Sequence, residues 1–348
     1  MTKTLKTILL AGTFASSAGL AMAQDLPPLN SDTEADRIDW SQLEAEFGTV
    51  PTPTDDASVG GVSKTLTNEY WRSLGIGYKN VADEYGVDFA YQAAPSEGDQ
   101  LAQLSIAENM LLQGYDALLF SPQTDNNLQP ALERARSQDI PVVNVNDAVI
   151  PSVEHYVGNV QRDNGVRVAQ WFIENTDGGK VAVIEGQPGV FAAGQRTDGF
   201  TTTINEADGL EVVASVPANW SREEAYNAAS TILQQHPDLI GFYANNDGMA
   251  LGVVEAVKAA DLQEQVAVFG TDGISDAYDS IRAGDLTGTV DSFPVLTGEV
   301  AMEVALRLLD GQDLPRVVAT PQALITSENI EQYSIEDTAA LREMLLAE

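Results

Sequence analysis

From residue 57 onward the chain alternates short apolar runs with amphipathic ones, and this limits the folds open to it more than any other feature. "ASVGGVS" (57–63), "VDFAYQA" (87–93), "ALLF" (117–120) and "PVVNV" (141–145) read as strands. Helical patterns separate them. Trp71, Leu74, Tyr78, Val81 and Tyr85 fall on one face, Leu104, Ala107 and Leu111 share a side within 99–113, and a third helix covers 128–138. A second set follows, with strands "KVAVIEG" (180–186), "LEVVASV" (210–216), "LIGFYAN" (239–245) and "VAVFGTD" (266–272), and helices over 192–205, 222–235, 248–260, 275–283 and 297–309. Strands that take turns with helices form parallel sheets covered on both faces. Two such sets predict an α/β protein of two doubly wound, Rossmann-like domains.

The first 56 residues stand apart. Lys3 and Lys6, an apolar stretch over 7–20 and the small-x-small triplet Ala21-Met22-Ala23 predict a signal peptide over 1–23, cleaved on export to the periplasm. Residues 24–56 read as an acidic extension and linker. In it Ser31 and Glu34 fit a capping box, and Trp40, Leu43 and Phe47 share a helical face. The net charge is −34, and removing Lys3 and Lys6 takes it to −36. Such a surface argues against nucleic acid and anionic lipid as partners. The absence of cysteine excludes disulfides, thiol nucleophiles and cysteine–metal sites. No other long apolar run predicts a membrane span.

In open α/β sheets a ligand binds beyond the carboxyl ends of the strands. Here those ends carry "SKTLTNEYW" (63–71), Ser121-Pro122, Asn144 to Asp147, Glu185-Gly186-Gln187, Asn245-Asn246-Asp247 and Thr271-Asp272-Gly273. Asn, Asp, Ser and Thr suit a ligand covered in hydroxyls, which both donate and accept. Tyr70, Trp71 and Trp220 suit the C–H faces of a sugar ring. Each residue has a plainer reading as well. Asp247 fits a helix N-cap, Asp272-Gly273 a turn, and either tryptophan a core position. Catalytic readings find less support. The two histidines, His155 and His236, belong to no metal-spaced pair or nucleophile motif, and "EGQPGVFAAG" lacks the spacing of a phosphate cradle.

Six segments, in order, resemble the ribose-binding-protein group of periplasmic sugar-binding proteins: "QLSIAENMLLQGYDALLFSPQTDNNLQPALERARSQDIPVV" (103–143), "YVGNVQRDNG" (156–165), "GQRTDGF" (194–200), "YANNDGMALGVVEAV" (243–257), "VFGTDG" (268–273) and "AGDLTGTVDSFPVLTGEVA" (283–301). The resemblance implies two domains joined by three crossings and closing like a hinge on a ligand. The expected division is 57–160 plus 293–318 for the first domain and 161–292 plus 319–348 for the second. Carried over by position, the ligand-binding residues are Asn68, Tyr70, Trp71, Asn146, Asp147, Arg196, Trp220, Asn246, Asp272 and Ser292, with the two tryptophans sandwiching the sugar ring.

The chain also departs from the ribose-type pattern. Asn146-Asp147 replaces Asp-Arg, Ser292 replaces Gln, and Glu69 replaces Pro. A fork donor is lost and a carboxylate gained, so ribose itself is not implied. The expected ligand is a neutral monosaccharide, polyol or cyclitol, with an amino-sugar or other cationic solute as the alternative. The implied partners are an ABC importer permease and a chemoreceptor, the protein being a monomer without cofactor, metal or catalysis. The rival roles are a sensor's binding protein, a periplasmic sugar-modifying enzyme, and a sugar-responsive repressor, which needs a basic N-terminal DNA-binding helix pair that is absent from this sequence.

Overall fold

The structure is a computed structural model that describes residues 26–54, 56–335 and 337–347; the expected signal peptide lies outside them. Two sheets divide the chain. The first has seven parallel strands in the order β1 (Arg37–Asp39), β12 (Val317–Ala319), β6 (His155–Gly158), β5 (Val142–Val145), β4 (Ala117–Phe120), β2 (Ser58–Ser63) and β3 (Asp88–Ala93). It carries α2 (Glu69–Tyr85), α3 (Gln100–Gln113), α4 (Gln129–Arg136) and α10 (Pro294–Leu309). The second runs β13 (Ala323–Thr326), β11 (Gly288–Asp291), β10 (Ala267–Asp272), β9 (Leu239–Ala244), β7 (Gly179–Glu185) and β8 (Leu210–Pro217), with β13 alone antiparallel. Its helices are α5 (Gln161–Asn175), α6 (Phe191–Asn205), α7 (Arg222–Gln235), α8 (Asp247–Ala259), α9 (Ser275–Arg282) and the short α11 (Ile330–Tyr333).

Composition follows position within each sheet. The inner strand β4 is apolar and buried at all four residues, as a strand covered on both faces must be. The edge strand β8 mixes exposed and half-buried residues. Helices meet closely where glycine allows it. A Cβ on Gly165 of α5 would collide with the carbonyl oxygen of Arg196 in α6, and one on Gly199 of α6 with that of Arg162. This close packing sets α6 beside the start of α5.

Three expectations are corrected. Residues 26–56 are not a separate piece. They contribute β1 to the first sheet, where it pairs with β12, and the Arg316 guanidinium holds them through Pro27 O (2.9 Å) and Glu34 (3.2 Å). The capping box in this segment is formed by Asp39 and Gln42, ahead of a one-turn helix over Trp40–Gln42 and α1 (Leu43–Phe47). Ser31 lies in a turn. Trp40 and Leu43 are buried, with Phe47 packed against the same cluster.

Finally, the chain crosses between lobes a fourth time. After α11, α12 (Thr338–Ala347) returns to the first lobe. There Arg342 pairs with Glu303 of α10 at 2.6 Å and lies 5.6 Å from the Trp40 ring centre. The reason is local: α12 offers Leu341 as an apolar anchor, and α10 presents Glu299 and Glu303 to the guanidinium. No helix among the described residues is long and apolar enough to cross a membrane.

Candidate functional site

The carboxyl ends of strands from both sheets meet at one cleft. Asn68, Tyr70, Trp71, Glu97 and Asp147 line it from the first lobe, and Arg196, Trp220, Asn246 and Asp272 from the second. Eight of the ten expected residues are therefore gathered there. Asn68 and Asn246 also cap helices, accepting from the Tyr70 amide (3.0 Å) and the Met249 amide (2.9 Å) respectively. With the oxygen of Asn246 committed to α8, its amide nitrogen is the group left for the cleft.

Asn146 and Ser292 do not line the cleft. The two residues follow the end of β5 in a bend, with Asn146 in a left-handed conformation (φ 25°), and their side chains part there: Asp147 lines the cleft, while Asn146 is bonded at the hinge. The Asn146 amide donates to the Tyr70 hydroxyl (2.7 Å), and its oxygen accepts from Tyr156 (3.1 Å) and Gln161 (3.1 Å). The Gln161 oxygen in turn accepts from Arg196 Nε (2.9 Å), and Arg196 also donates to the Asn245 carbonyl at 2.6 Å. A buried line of hydrogen bonds thus runs from Tyr70 through the hinge to Arg196. Ser292 is fully buried at the second crossing, behind these groups, where its carbonyl accepts from Thr297. Glu69 also lies outside the cleft, bonded to Ser275 of the other lobe.

The site contains a cation that sequence reasoning passed over. Lys64, immediately after β2, is fully buried, and its ammonium lies 2.5 Å from Asp147. The same nitrogen is 5.4 Å from the Trp71 ring centre and 5.5 Å from that of Trp220, within cation–π range of both. The two rings thus flank the lysine and form walls of the cleft. A second cation–carboxylate pair, Arg196 with Asp272 at 3.8 Å, stands on the opposite side. Burial pushes the Asp272 carboxyl well above its usual range, and Arg196 opposes that push. Burial is the largest influence on the Arg196 guanidinium and works against its charge, but the acidic groups around it, Asp272 first, with Tyr243, Asp147 and Tyr70, together hold the group above its ordinary value. Burial likewise raises Glu97, against the pull of Lys64.

Backbone shape positions these groups. Asn219 and Trp220 both take left-handed conformations (φ 52° and 65°), costly for an aromatic residue, and these turn the indole into the cleft. The ring lies over Gly186 at the end of β7, where any Cβ would strike it. Asp247 does not cap α8, because Asn246 does. Instead the Asp247 carboxylate accepts from the Gly273 amide (2.8 Å), the Ile274 amide (3.1 Å) and the Thr289 hydroxyl (2.6 Å), fixing the loop that follows Asp272.

Four buried polar atoms around the cleft have no hydrogen-bond partner among the described residues: Trp71 Nε1, Trp220 Nε1, Lys64 Nζ and Asp147 Oδ1. The contact between the last two is a charge contact without hydrogen-bond alignment. Buried polar groups are nearly always satisfied, so a cluster of three donors and one acceptor on one cavity is suited to a ligand that both accepts and donates. No group of three or more His, Cys, Asp or Glu residues among those described could hold a metal ion.

The periplasmic binding protein domain family matches residues 59–313. The D-allose-binding periplasmic protein of Escherichia coli (strain K12) is 33% identical over 272 residues, covering 75% of this chain and 86% of the relative. The ribose import binding protein of Bacillus subtilis (strain 168) is 32% identical over 273 residues, covering 78% and 88%. An ABC transporter periplasmic solute binding protein from Actinobacillus succinogenes 130z, solved with bound D-allose, superposes with a TM-score of 0.77 at 30% identity, covering 80% of this chain and 100% of that one.

Proposed function

The chain belongs to the periplasmic binding protein domain family, and from that premise we propose that it is the solute-binding component of an ABC sugar importer, taking a neutral polyhydroxylated solute into the cleft between its lobes. The observation that carries this reading is the set of buried polar atoms without a hydrogen bond at Trp71, Trp220 and the Lys64–Asp147 ion pair. Sugar, polyol and cyclitol hydroxyls accept from the indoles and the ammonium and donate to the carboxylate. Asn68, Tyr70, Arg196, Asn246 and Asp272 complete the contacts, while Asn146 and Ser292 support them from behind.

Charge narrows the ligand class. Arg196 and three carboxylates, Glu97, Asp147 and Asp272, line the cleft, and Lys64 is buried directly beside Asp147. Four of the five stand in pairs, and Glu97 is raised by burial. The loss of a fork donor at position 147 is offset by Lys64, so the cleft is close to neutral rather than strongly acidic. A neutral hydroxylated ligand fits better than an amino-sugar, whose cation would meet Lys64 and Arg196. The protein acts in the periplasm, without catalysis, and hands its ligand to a permease.

A thermal-shift screen of monosaccharides, polyols, cyclitols and amino-sugars, with D-allose and D-ribose in the first panel, tests the reading. Binding to the folded form raises the melting temperature by mass action. A screen in which no hydroxylated neutral solute raises it sinks the proposal.

A further inference from the structure

Leaving aside the one-turn α11, three helices of the second lobe begin without a capping side chain of their own. The residues before α5, α6 and α9 are Val160, Val190 and Ile274, none of which can accept a hydrogen bond through its side chain. In the same lobe α7 and α8 are capped by Ser221 and Asn246. At each of the three bare starts a carboxylate from the first lobe takes the capping role. Asp32 accepts from the amides of Gln161 (3.0 Å) and Arg162 (2.7 Å) at α5. Asp125 accepts from the amide of Phe191 (3.1 Å) at α6. Glu69 accepts from the amide (2.9 Å) and hydroxyl (2.8 Å) of Ser275 at α9. A helix start combines free N–H groups with positive partial charge, so a carboxylate is favoured there twice over.

The three contacts differ in place. Asp32 sits at the hinge, where α5 follows β6 directly. Asp125 and Glu69 bridge from one lobe to the other away from the crossing, and neither lines the cleft. Both hydrogen-bonding partners of Glu69 belong to the opposite lobe. Opening the cleft separates these groups and returns α6 and α9 to water with uncapped first turns.

We infer that Glu69 and Asp125 are closure latches: positioning residues that hold the lobes together by capping helices of the second lobe, and so set how long a solute stays without touching it. This rests on the reading of the chain as a cleft-closing binding protein. A latch made only in the closed form slows dissociation and leaves association unchanged. Asp125 also accepts from the Val149 amide of its own lobe (3.0 Å), so Glu69 is the cleaner residue to change.

The test uses the full chain with D-allose as the probe, in Glu69→Ala, Glu69→Gln and the Glu69→Ala/Asp125→Ala pair. Stopped-flow dissociation is expected to quicken by about tenfold per latch in the alanine variants, and by less in Glu69→Gln, which keeps an acceptor but loses the charge. Association rates stay at the parent value. Because the chain has no cysteine, spin labels at Ser105→Cys on α3 and Glu223→Cys on α7 read lobe separation directly. The closed separation is expected to lose population in the paired variant. Dissociation rates and separations equal to the parent's overturn the inference. If D-allose does not bind, the label distances of the sugar-free protein decide alone: a loss of closed population supports the latches, and identical distributions overturn them. Failure of the ligand reading and failure of the latch are therefore told apart.

Discussion

The ammonium of Lys64 and the carboxylate of Asp147 lie 2.5 Å apart across the floor of the cleft, the first fully buried and the second nearly so. Neither charge is tolerable there alone, since a buried ion needs a partner. Lys64→Met is expected to destabilise the fold by roughly 3–5 kcal/mol, because it strands Asp147. Adding Asp147→Asn should recover most of that loss without recovering ligand binding. Urea unfolding of the four proteins of this cycle measures the coupling, and additive single effects would contradict the pairing.

Arg196 and Asp272 are expected to carry affinity from the second lobe. Asp272→Ala and Arg196→Ala should each weaken binding by about 2–5 kcal/mol, the range for one member of a buried polar pair. Arg196→Ala should also lower the melting temperature more than Asp272→Ala does, because Arg196 additionally holds Gln161 and the Asn245 carbonyl. Calorimetry with the ligand from the screen and thermal melts provide the two readings.

Gly186 leaves room for the Trp220 indole and for nothing more. Gly186→Ala should displace the ring, weaken binding and cost roughly 1–3 kcal/mol of stability through overpacking. Trp220→Ala introduced into the same chain should restore the melting temperature, since the added methyl then meets space. If the double variant melts as low as Gly186→Ala, the contact is not the cause.

Burial pushes the Asp247 carboxyl up to about 6 and Asp291 up to about 7, from an ordinary value of 3.8. Between the ordinary value and these raised ones, the folded protein keeps protons that the unfolded chain has released. The folded state then binds more protons, so stability falls as pH rises from about 4 through about 7. Going from about pH 5.5 to about pH 8 should cost roughly 2–3 kcal/mol from the two groups together. Asp291→Asn should flatten that slope. Chemical denaturation across the range checks both, and a stability that climbs with pH would contradict the assignment.

The alternation of strands and helices was legible because its period is local, and α2 through α10 follow the predicted elements closely apart from α5, which lay unread within a quoted motif. The strands β11, β12 and β13 were not read as strands: β11 mixes Gly, Thr and Asp with a single Val, and β12 and β13 come after α10, where the strand–helix alternation has ended. The placement of β1 depends on β12 near the other end of the chain, and that of α12 on Glu303 of α10 39 residues earlier, and no local pattern encodes either. At the site, residue types after each strand pointed to the cleft, but facing did not follow from type. Asn146 and Asp147 are neighbours with opposite outlooks, and Glu69 reads as a pocket carboxylate until its bond to Ser275 is seen. Lys64 stood in the quoted stretch "SKTLTNEYW". Its signal was charge balance: a lone cation at a strand end, in a pocket that had gained an aspartate.

The return of α12 to the first lobe has a practical side. Leu26 and Ala347, the outermost described residues, both belong to segments fastened to that lobe, one through Arg316 and the other through Glu303. The second lobe is therefore an insert, joined covalently to the first through the strands and turns that lead into and out of it. A surface, bead or fluorescent protein attached through either end grips the stationary half and leaves the swinging half unloaded, so a sensor built on this chain can be anchored by its tails without stiffening the motion it reports.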